Sequence, residues 1–421
     1  MDLKVKGSLS GMVTPPPSKS QAHRLLICAA LGKKPCVVAC DALNDDLVAT
    51  MNSLNALGAD IKYHSGAFVV KPVNLKKGGM LDCGESGSTL RFLISVAAAL
   101  GADATFVGRG KLPCRPNSAL CNALGSHGMT FEHTQPGMEL PLVCKGTLQG
   151  GEFTLPGDLS SQYLTGLLMA LPLVSQNSRV QVDGVLTSAP YVGMTLDAVR
   201  SAGIEIVQDK NIYYIRGNQC YDLPPGTIVE GDWSSAAFWI VAGVVGKSPV
   251  KVCGMNRRSL QGDRHVIEHL RKMGAYIEVA DDAIVAMPSQ LFGAELDCSD
   301  TPDLVPILCV AAAAADGTTL FTNVGRLRYK ESDRLAAMNK VLAAFGISSS
   351  VGDDTLTVHG GTVTAAENVE TFGDHRIAMS SAVLATLAHG ETKISGAECV
   401  AKSYPRFFDD YVSLGGYVEN I

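Results

Sequence analysis

The chain contains the stretch Leu270-Arg271-Lys272-Met273-Gly274-Ala275-Tyr276-Ile277-Glu278-Val279, in which a helical segment ends at a glycine and an alternating strand follows. Glycine suits the left-handed conformation that closes many helices, and alternating apolar and polar residues are typical of a strand. The same arrangement recurs at Gly58, Gly128, Gly203, Gly274, Gly346 and Gly416, in steps of 70, 75, 71, 72 and 70 residues. A period this regular predicts six copies of one supersecondary unit.

A second helix is predicted in every copy, and most of these helices are apolar on all sides. They open at Ser18-Lys19, Ser86-Gly87-Ser88, Ser160-Ser161-Gln162, Ser234-Ser235, Pro302-Asp303 and His375-Arg376. A helix that is apolar all round is buried in a core. A strand follows most of them, so we expect a βαβαββ repeat of about 70 residues.

The repeats are expected to divide between two domains, because 421 residues exceed one ordinary core. Repeats one to three give a first domain over 14–224, and repeats four to six give a discontinuous second domain over 1–13 and 225–421. The sixth repeat is one strand short, and the N-terminal strand Leu3–Gly7 is expected to complete it. The fold class is α/β (α+β), and two chain crossings between domains suit a hinge that closes on a ligand.

Composition excludes several classes of partner. The net charge is −6, which lacks the basic surplus of a nucleic-acid-binding protein. The longest apolar run, residues 304–315, is too short to span a bilayer, and the N-terminus lacks a signal peptide, so no membrane partner and a cytoplasmic location are expected. Neither a dinucleotide-binding glycine motif nor a C-x-x-C pair occurs, so no cofactor and no metal are expected.

Cations stand in the first turn of two buried helices, where the positive end of the helix dipole disfavours them. Lys19 and Arg24 do so in the first repeat, and Arg376 in the sixth. A bound phosphate or carboxylate would remove the conflict, and free helix N–H groups would add to its binding. The alternative is a solvated helix start with ordinary surface charges.

Acidic residues beside these cations leave similar alternatives. Glu331 and Arg334 form a surface ion pair, or they offer an acid–base carboxylate next to an anion-holding guanidinium. Asp303 is an N-cap, or it is a general base in a closed cleft.

The sequence motifs, taken in chain order, resemble those of the 5-enolpyruvylshikimate-3-phosphate (EPSP) synthase family of enolpyruvyltransferases. They are Ser18-Lys19-Ser20 with Arg24, Ser86 to Arg91, Arg115-Pro116, Ser160-Ser161-Gln162, Ser188-Ala189-Pro190-Tyr191, Pro302-Asp303, Lys330 to Arg334, Gly373 to Arg376 and Lys402. The resemblance implies a two-domain inside-out α/β barrel with helix N-termini aimed at an interdomain cleft that holds the active site. It implies transfer of the carboxyvinyl group of phosphoenolpyruvate to the 5-hydroxyl of shikimate 3-phosphate by addition and elimination, in aromatic amino acid biosynthesis. It further implies small-molecule substrates, no cofactor, a monomer, and glyphosate as inhibitor.

The resemblance also assigns residues to roles. Catalysis falls to Asp303 as base, Glu331 as acid and Lys19. Shikimate 3-phosphate binding falls to Lys19, Ser20, Arg24, Ser160, Ser161, Gln162, Ser188, Tyr191, Asp303 and Lys330. Phosphoenolpyruvate binding falls to Lys19, Gly87, Arg115, Gln162, Arg334, His375, Arg376 and Lys402.

Five positions depart from the common family pattern: His23, Glu85, Ser88, Phe92 and Arg326. They bear on substrate affinity and on glyphosate sensitivity, and none removes a charge that the mechanism needs.

Two other functions would require different sequence features. A related enolpyruvyltransferase acting on UDP-N-acetylglucosamine would carry Lys-Asn in the first motif and a cysteine several residues before the arginine. Here Ser20 follows Lys19, and Cys114 abuts Arg115. A six-repeat DNA clamp would spread cations along its pore helices, whereas these helices are apolar.

Overall fold

A computed structural model describes residues 1–76, 78–157 and 160–421 of the chain. The α-helices are α1 (Lys19–Ala30), α2 (Asp45–Leu57), α3 (Gly87–Leu100), α4 (Ser118–Gly125), α5 (Ser161–Ala170), α6 (Ala189–Ser201), α7 (Trp233–Val245), α8 (Val266–Lys272), α9 (Val305–Ala313), α10 (Arg334–Ala344), α11 (His375–Ala385) and α12 (Phe407–Ser413). Short 3-10 helices are formed by Leu112–Cys114, Leu171–Leu173, Gly262–His265, Pro302–Leu304, Gly325–Tyr329 and Ala397–Lys402.

The strands are β1 (Asp2–Gly7), β2 (Gly11–Val13), β3 (Cys36–Ala39), β4 (Asp60–His64), β5 (Ala67–Lys71), β6 (Gly79–Asp82), β7 (Ala104–Val107), β8 (Met129–His133), β9 (Leu142–Gly146), β10 (Glu152–Pro156), β11 (Ser178–Asp183), β12 (Ile206–Asp209), β13 (Ile212–Ile215), β14 (Thr227–Ile228), β15 (Val250–Cys253), β16 (Tyr276–Val279), β17 (Ala283–Met287), β18 (Glu295–Asp297), β19 (Thr318–Thr322), β20 (Ser349–Val351), β21 (Thr355–His359), β22 (Val369–Glu370), β23 (Thr392–Ser395) and β24 (Gly416–Asn420).

The strands of the described residues form four-stranded sheets of one topology. In the third repeat β10 pairs in parallel with β11, β11 pairs antiparallel with β13, and β13 pairs antiparallel with β12. The sheet orders are β14-β3-β5-β4, β6-β7-β9-β8, β10-β11-β13-β12, β16-β17-β15-β2, β18-β19-β21-β20 and β22-β23-β1-β24. The predicted six-fold βαβαββ repeat is confirmed.

The N-terminal strand completes the sixth repeat, as predicted. β1 lies between β23 and β24 and runs antiparallel to both. Leu3 faces Ile394 on one side and Asn420 on the other. Leu3 and Val5 are buried, so the chain start is a central strand of its sheet.

The first strands of repeats one and four come from distant parts of the sequence, which the sequence analysis did not foresee. β14 pairs in parallel with β3, through Thr227 and Val38. β2 pairs in parallel with β15, through Met12 and Lys251. Strands of two or three residues are too short to show alternation, so the pattern gives no signal for them.

The described chain divides into two compact domains, the first Lys19–Val229 and the second Met1–Ser18 with Glu230–Ile421. Each has its own apolar core, in which buried helices such as α3 and α9 lie. Both changeovers between domains lie five residues beyond the sequence-based limits of 13/14 and 224/225. β14 belongs to a sheet of the first domain, and Pro16 accepts a backbone hydrogen bond from Asp232 of the second.

Three predicted boundaries are corrected by the structure. α7 begins at Trp233 instead of Ser234, because the Asp232 side chain accepts from the Ser235 amide as the N-cap. α9 begins at Val305, after the 3-10 turn that contains Asp303. The sixth helix-closing glycine is Gly415, with φ 98°, instead of Gly416, which opens β24. Gly416 serves a different need, since a Cβ there would lie 2.1 Å from the Tyr411 ring.

Within the described ranges, every helix falls short of the length and apolar character that crossing a bilayer requires.

Candidate active site

The Asp303 carboxylate lies among three cations of the second domain. Arg334 Nη1 donates to Asp303 Oδ1 at 2.7 Å, and Lys330 Nζ lies 3.3 Å from the same oxygen. Arg376 Nη2 donates to Asp303 Oδ2 at 3.1 Å. These four residues are called the Asp303 cluster below. The N-cap interpretation of Asp303 is wrong, because the residue before α9 is Leu304 and the carboxylate is held by cations.

Arg334 binds two further carboxylates. Its Nε donates to Asp374 Oδ2 and its Nη2 donates to Glu331 Oε2, both at 2.8 Å. Asp374 is also the N-cap of α11, where it accepts from the Arg376 amide at 3.0 Å. The Arg334 side chain is 1% exposed, so the surface ion pair suggested for Glu331 and Arg334 is wrong.

The charged groups around Arg334 and Asp303 keep these two residues ionised. Burial by itself raises the pKa of the Asp303 carboxyl, but Arg376, Lys330 and Arg334 outweigh burial and hold that pKa well below its ordinary value. Burial lowers the pKa of Arg334, while the carboxylates of Asp374, Glu331 and Asp303 raise it more, and it ends above its ordinary value. Both groups are therefore charged at neutral pH.

Lys330 differs from the two arginines of the cluster. Burial lowers the pKa of its ammonium to about 8, although the neighbouring Asp303 carboxylate acts in the opposite direction. Its charge is therefore lost just above neutral pH.

The other predicted residues of this domain lie at helix ends. His375 and Arg376 are the first two residues of α11, and both are buried. Lys402 is the last residue of the 3-10 helix Ala397–Lys402 and is also buried. Arg115 of the first domain directly follows the 3-10 helix Leu112–Cys114, so the two cations occupy corresponding positions of their repeats.

The buried carboxylate of Asp263, in the 3-10 helix Gly262–His265, was not predicted from the sequence. The Ser234 hydroxyl donates to it. Burial and the Asp303 charge raise its pKa to about 6, against the lowering effect of Arg376. An acidic residue at a helix start is common, so the sequence carried no signal of its burial.

In the first domain the Lys19 ammonium forms an ion pair with a carboxylate of the same domain. Lys19 Nζ lies 2.9 Å from Asp46 Oδ2, in the first turn of α2. A bound anion was predicted to relieve the conflict between Lys19 and the helix dipole, and Asp46 supplies part of that relief. Nothing in the spacing of the two residues could have shown this contact.

Arg24 joins α1 to α6. Its Nε donates to Thr195 Oγ1 at 2.9 Å, its Nη2 to the Tyr191 carbonyl at 3.0 Å, and its Nη1 to the Ser20 carbonyl at 2.6 Å. Burial lowers the pKa of Arg24 to about 10, which leaves it charged at neutral pH. The structure thus brings Ser20, Arg24 and Tyr191 together.

Ser188 stands just before α6 with φ 58°, in the left-handed region. It is buried. A residue other than glycine pays about 1 to 2 kcal/mol for this conformation. Such outliers concentrate at ligand sites.

Arg115 packs against the first turn of α3. A Cβ on Gly87 would lie 2.9 Å from Arg115 Nη1 and 3.1 Å from Cζ. The Ser86 side chain caps this helix by accepting from the Thr89 amide at 3.2 Å. Gly87 therefore leaves room for the guanidinium.

Gln162 lies in the first turn of α5, where it meets α3. Ser160 is the N-cap, its Oγ accepting from the Gln162 amide at 3.3 Å, and Ser161 is the first residue of the helix. Gln162 Nε2 donates to Ser88 Oγ at 3.0 Å, and Gln162 Oε1 accepts from Arg91 Nη1 at 2.7 Å. The contact with Ser88 places Gln162 beside the first turn that Arg115 covers.

Several departures from the family pattern have structural roles. His23 Nδ1 and Thr50 Oγ1 are 2.7 Å apart, and burial lowers the His23 pKa to about 3, so it is neutral. The Arg24 guanidinium lies 5.2 Å from the centre of the Phe92 ring. Arg326 donates to the Ser299 carbonyl.

The described residues therefore place cations at or near helix ends in both domains, and three cations of the second domain surround the Asp303 carboxylate. Such a set can bind organic anions and can accept a proton from a hydroxyl group. No group of three His, Cys, Asp or Glu in the described ranges is placed to hold a metal ion.

The family model described as EPSP synthase (3-phosphoshikimate 1-carboxyvinyltransferase) matches residues 3–411. A 3-phosphoshikimate 1-carboxyvinyltransferase of Clostridium kluyveri is 40% identical over 423 aligned positions, which cover 98% of this chain and 96% of that protein. One of Clostridium acetobutylicum is 39% identical, with coverages of 97% and 96%.

Solved structures share the fold of this chain. An EPSP synthase from Acinetobacter baumannii superposes with a TM-score of 0.83 at 25% identity, over 100% of both chains. An enolpyruvyl transferase from Streptomyces tendae shares the fold, with a TM-score of 0.80 at 19% identity over 99% of this chain and 98% of its own. The fold is the two-domain inside-out α/β architecture of these enzymes. With a family match over nearly its whole length and close relatives of one name, the chain belongs to the EPSP synthase (3-phosphoshikimate 1-carboxyvinyltransferase) family.

Proposed function

We propose that the chain transfers the enolpyruvyl group of phosphoenolpyruvate to the 5-hydroxyl of shikimate 3-phosphate and releases inorganic phosphate. The observation that carries this proposal is the Asp303 cluster, an ionised carboxylate held by three cations. The carboxylate is a base for a hydroxyl proton, and the cations attract anionic substrates. Membership of the family supports the same reaction.

Each substrate is assigned its own set of residues. Phosphoenolpyruvate is held by Lys19, Gly87, Arg115, Gln162, Arg334, His375, Arg376 and Lys402. Shikimate 3-phosphate is held by Lys19, Ser20, Arg24, Ser160, Ser161, Gln162, Ser188, Tyr191, Asp303 and Lys330. The buried guanidinium against Gly87 supports the first set, and the Ser20–Arg24–Tyr191 grouping supports the second.

The reaction is an addition followed by an elimination. The 5-oxygen bonds to C2 of phosphoenolpyruvate, Asp303 takes the hydroxyl proton, and Glu331 gives a proton to C3. In the elimination, Glu331, now ionised, takes a proton from the new methyl group, and the bond from C2 to the phosphate oxygen breaks. Nearby cations stabilise the departing phosphate, and Lys19 shares in proton transfer.

Substrate binding would strengthen the base. The three cations lower the pKa of Asp303 in the free protein, which makes it a weak base. Anionic groups of phosphoenolpyruvate beside Arg334 and Arg376 would offset part of those charges, so the Asp303 pKa would rise. Asp303 would therefore become an effective base once substrate is bound.

The proposed residues divide between the two domains, so one complete site requires the domains to meet. We place it in a cleft that closes on the ligands, as the two chain crossings suggested. Small-angle scattering should show a smaller radius of gyration with both ligands than with neither, and identical curves would contradict closure. A monomer, a cytoplasmic location and the lack of nucleic-acid and membrane partners stay predictions.

The reaction is tested by phosphate release. Purified protein with phosphoenolpyruvate should release inorganic phosphate when shikimate 3-phosphate is added. Release with UDP-N-acetylglucosamine instead would favour the related transferase. Release with neither acceptor would refute the proposed activity.

A further inference from the structure

Arg91 lies on α3, is 5% exposed, and has no role in the assignment above. Its guanidinium donates to groups from separate segments of the first domain. Nη1 donates to Gln162 Oε1 at 2.7 Å, Nε donates to Asn117 Oδ1 at 3.2 Å, and Nη2 donates to the Pro116 carbonyl at 3.0 Å. The fork of a planar guanidinium suits such a task, and an ammonium does not reproduce it.

Arg91 fixes which way the Gln162 amide points. Because Arg91 holds Oε1, Nε2 faces Ser88 Oγ, to which it donates at 3.0 Å. A flipped amide would set an NH₂ group against the guanidinium, where two donors would oppose each other. The polar groups that Gln162 offers to a ligand are thus set by Arg91 and Ser88.

Arg91 also supports the segment that carries Arg115. Asn117, which accepts from Arg91, donates from Nδ2 to the Arg115 carbonyl at 3.0 Å. Tyr163 Oη donates at 2.5 Å to the same Pro116 carbonyl that Arg91 binds, and its ring centre lies 5.2 Å from the Arg91 guanidinium. These contacts hold the backbone beside Arg115, whose guanidinium lies against Gly87.

We propose that Arg91 is a positioning residue that fixes the Gln162 amide and the Arg115 backbone in one arrangement for the reaction. The inference rests on the proposed function, because it takes Gln162 and Arg115 as substrate-binding groups. Arg91 acts through these two residues and touches no substrate itself.

The first test is Arg91→Lys, which keeps the charge and removes the fork. We expect kcat/KM for phosphoenolpyruvate to fall about 100-fold, the cost of misplacing a substrate-holding group. The matched control is Arg179→Lys on β11, whose Nη2 donates to Gln181 Oε1 at 2.8 Å. It should stay within about twofold of the parent. A loss below about tenfold for Arg91→Lys would overturn the proposal.

A double-mutant cycle separates positioning from general structural damage. In a Gln162→Ala background, Arg91→Lys should cost no more than about tenfold, because the part mediated by Gln162 is already lost. A cost as large as in the parent would refute mediation by Gln162. If Arg91→Lys fails to fold, Ser88→Ala removes the hydrogen bond on the Nε2 side of the Gln162 amide. The loss of kcat/KM in Ser88→Ala should then be non-additive with that in Gln162→Ala. Full additivity of these two losses would equally refute mediation by Gln162.

A third measurement does not depend on activity. With glutamine labelled by ¹⁵N, the side-chain amide signal of Gln162, assigned through Gln162→Ala, should exchange with solvent at least about tenfold faster in Arg91→Lys than in the parent or in Arg179→Lys. Unchanged exchange overturns the inference whether or not the parent releases phosphate. If exchange is faster in Arg91→Lys but the parent releases no phosphate, the proposed function alone is refuted.

Discussion

Arg334 Nη1 and Asp303 Oδ1 are 2.7 Å apart, and the guanidinium that makes this contact also binds Glu331 and Asp374. One buried side chain therefore connects the proposed base, the proposed acid and the N-cap of α11. Because an unpaired buried charge is costly, such a network is expected to tolerate loss of a partner poorly.

Asp303→Asn should lower kcat for phosphate release about 10²- to 10⁴-fold, because an amide cannot take the hydroxyl proton. Steady-state phosphate release measures the change. Asp316→Asn in the same domain is the control, since Asp316 accepts an exposed hydrogen bond from Gln290, and it should stay near the parent. A kcat within tenfold of the parent in Asp303→Asn would remove Asp303 from the role of base.

Asp374→Asn should lower the thermal unfolding midpoint by roughly 6 to 20 °C, because breaking a buried ion pair costs about 3 to 5 kcal/mol in a domain of this size. Asparagine still serves as an N-cap, so the loss reflects the contacts of Asp374 Oδ2 with Arg334 Nε and the Ser332 hydroxyl. Circular dichroism measures the midpoint. Asp333→Asn is the matched control, an N-cap of α10 whose ion pair with Arg328 is 3.6 Å long and partly exposed. Equal midpoints for the two variants would contradict a buried network.

Gly87→Ala should raise KM for phosphoenolpyruvate by at least about tenfold, because the new methyl group would lie 2.9 Å from Arg115 Nη1 and displace the guanidinium. KM for shikimate 3-phosphate should change little. Gly125→Ala, also at a helical glycine but with open space around the added Cβ, is the control. Equal effects on both KM values would show that Arg115 does not serve phosphoenolpyruvate selectively.

Binding of shikimate 3-phosphate should weaken as pH rises through about 8, where Lys330 loses its proton. Binding weakens in this direction because the ammonium is charged below its pKa and neutral above it. The pH profile of kcat/KM for shikimate 3-phosphate measures this. Lys330→Arg keeps its charge and should move the alkaline limb to higher pH. An alkaline limb unchanged by that substitution would assign it to another group.

The repeats could be predicted from the chain because their signals are local. Five of the six helix-closing glycines were identified correctly, since a positive φ selects glycine directly. The sixth repeat has two adjacent glycines, of which Gly415 adopts the positive φ and Gly416 leaves space for the Tyr411 ring. Only the packing of Tyr411 distinguishes the two roles.

The first strands of repeats one and four show the limit of local signals. β2 and β14 have three and two residues and pair with partners far along the chain. Their pairing depends on backbone hydrogen bonds across the sheet, which leave no pattern in so short a stretch.

By itself the sequence determined the six-fold βαβαββ repeat, the completion of the sixth repeat by β1, and the family, because hydrophobic period, turn glycines and motif order are properties of the chain. Only the tertiary structure decided that Asp303 accepts three cations, that Asp46 pairs with Lys19, and that Arg91 holds Gln162. Those contacts join residues from different repeats or different helices. Their energies depend on distance and burial, and neither quantity is encoded in spacing along the chain.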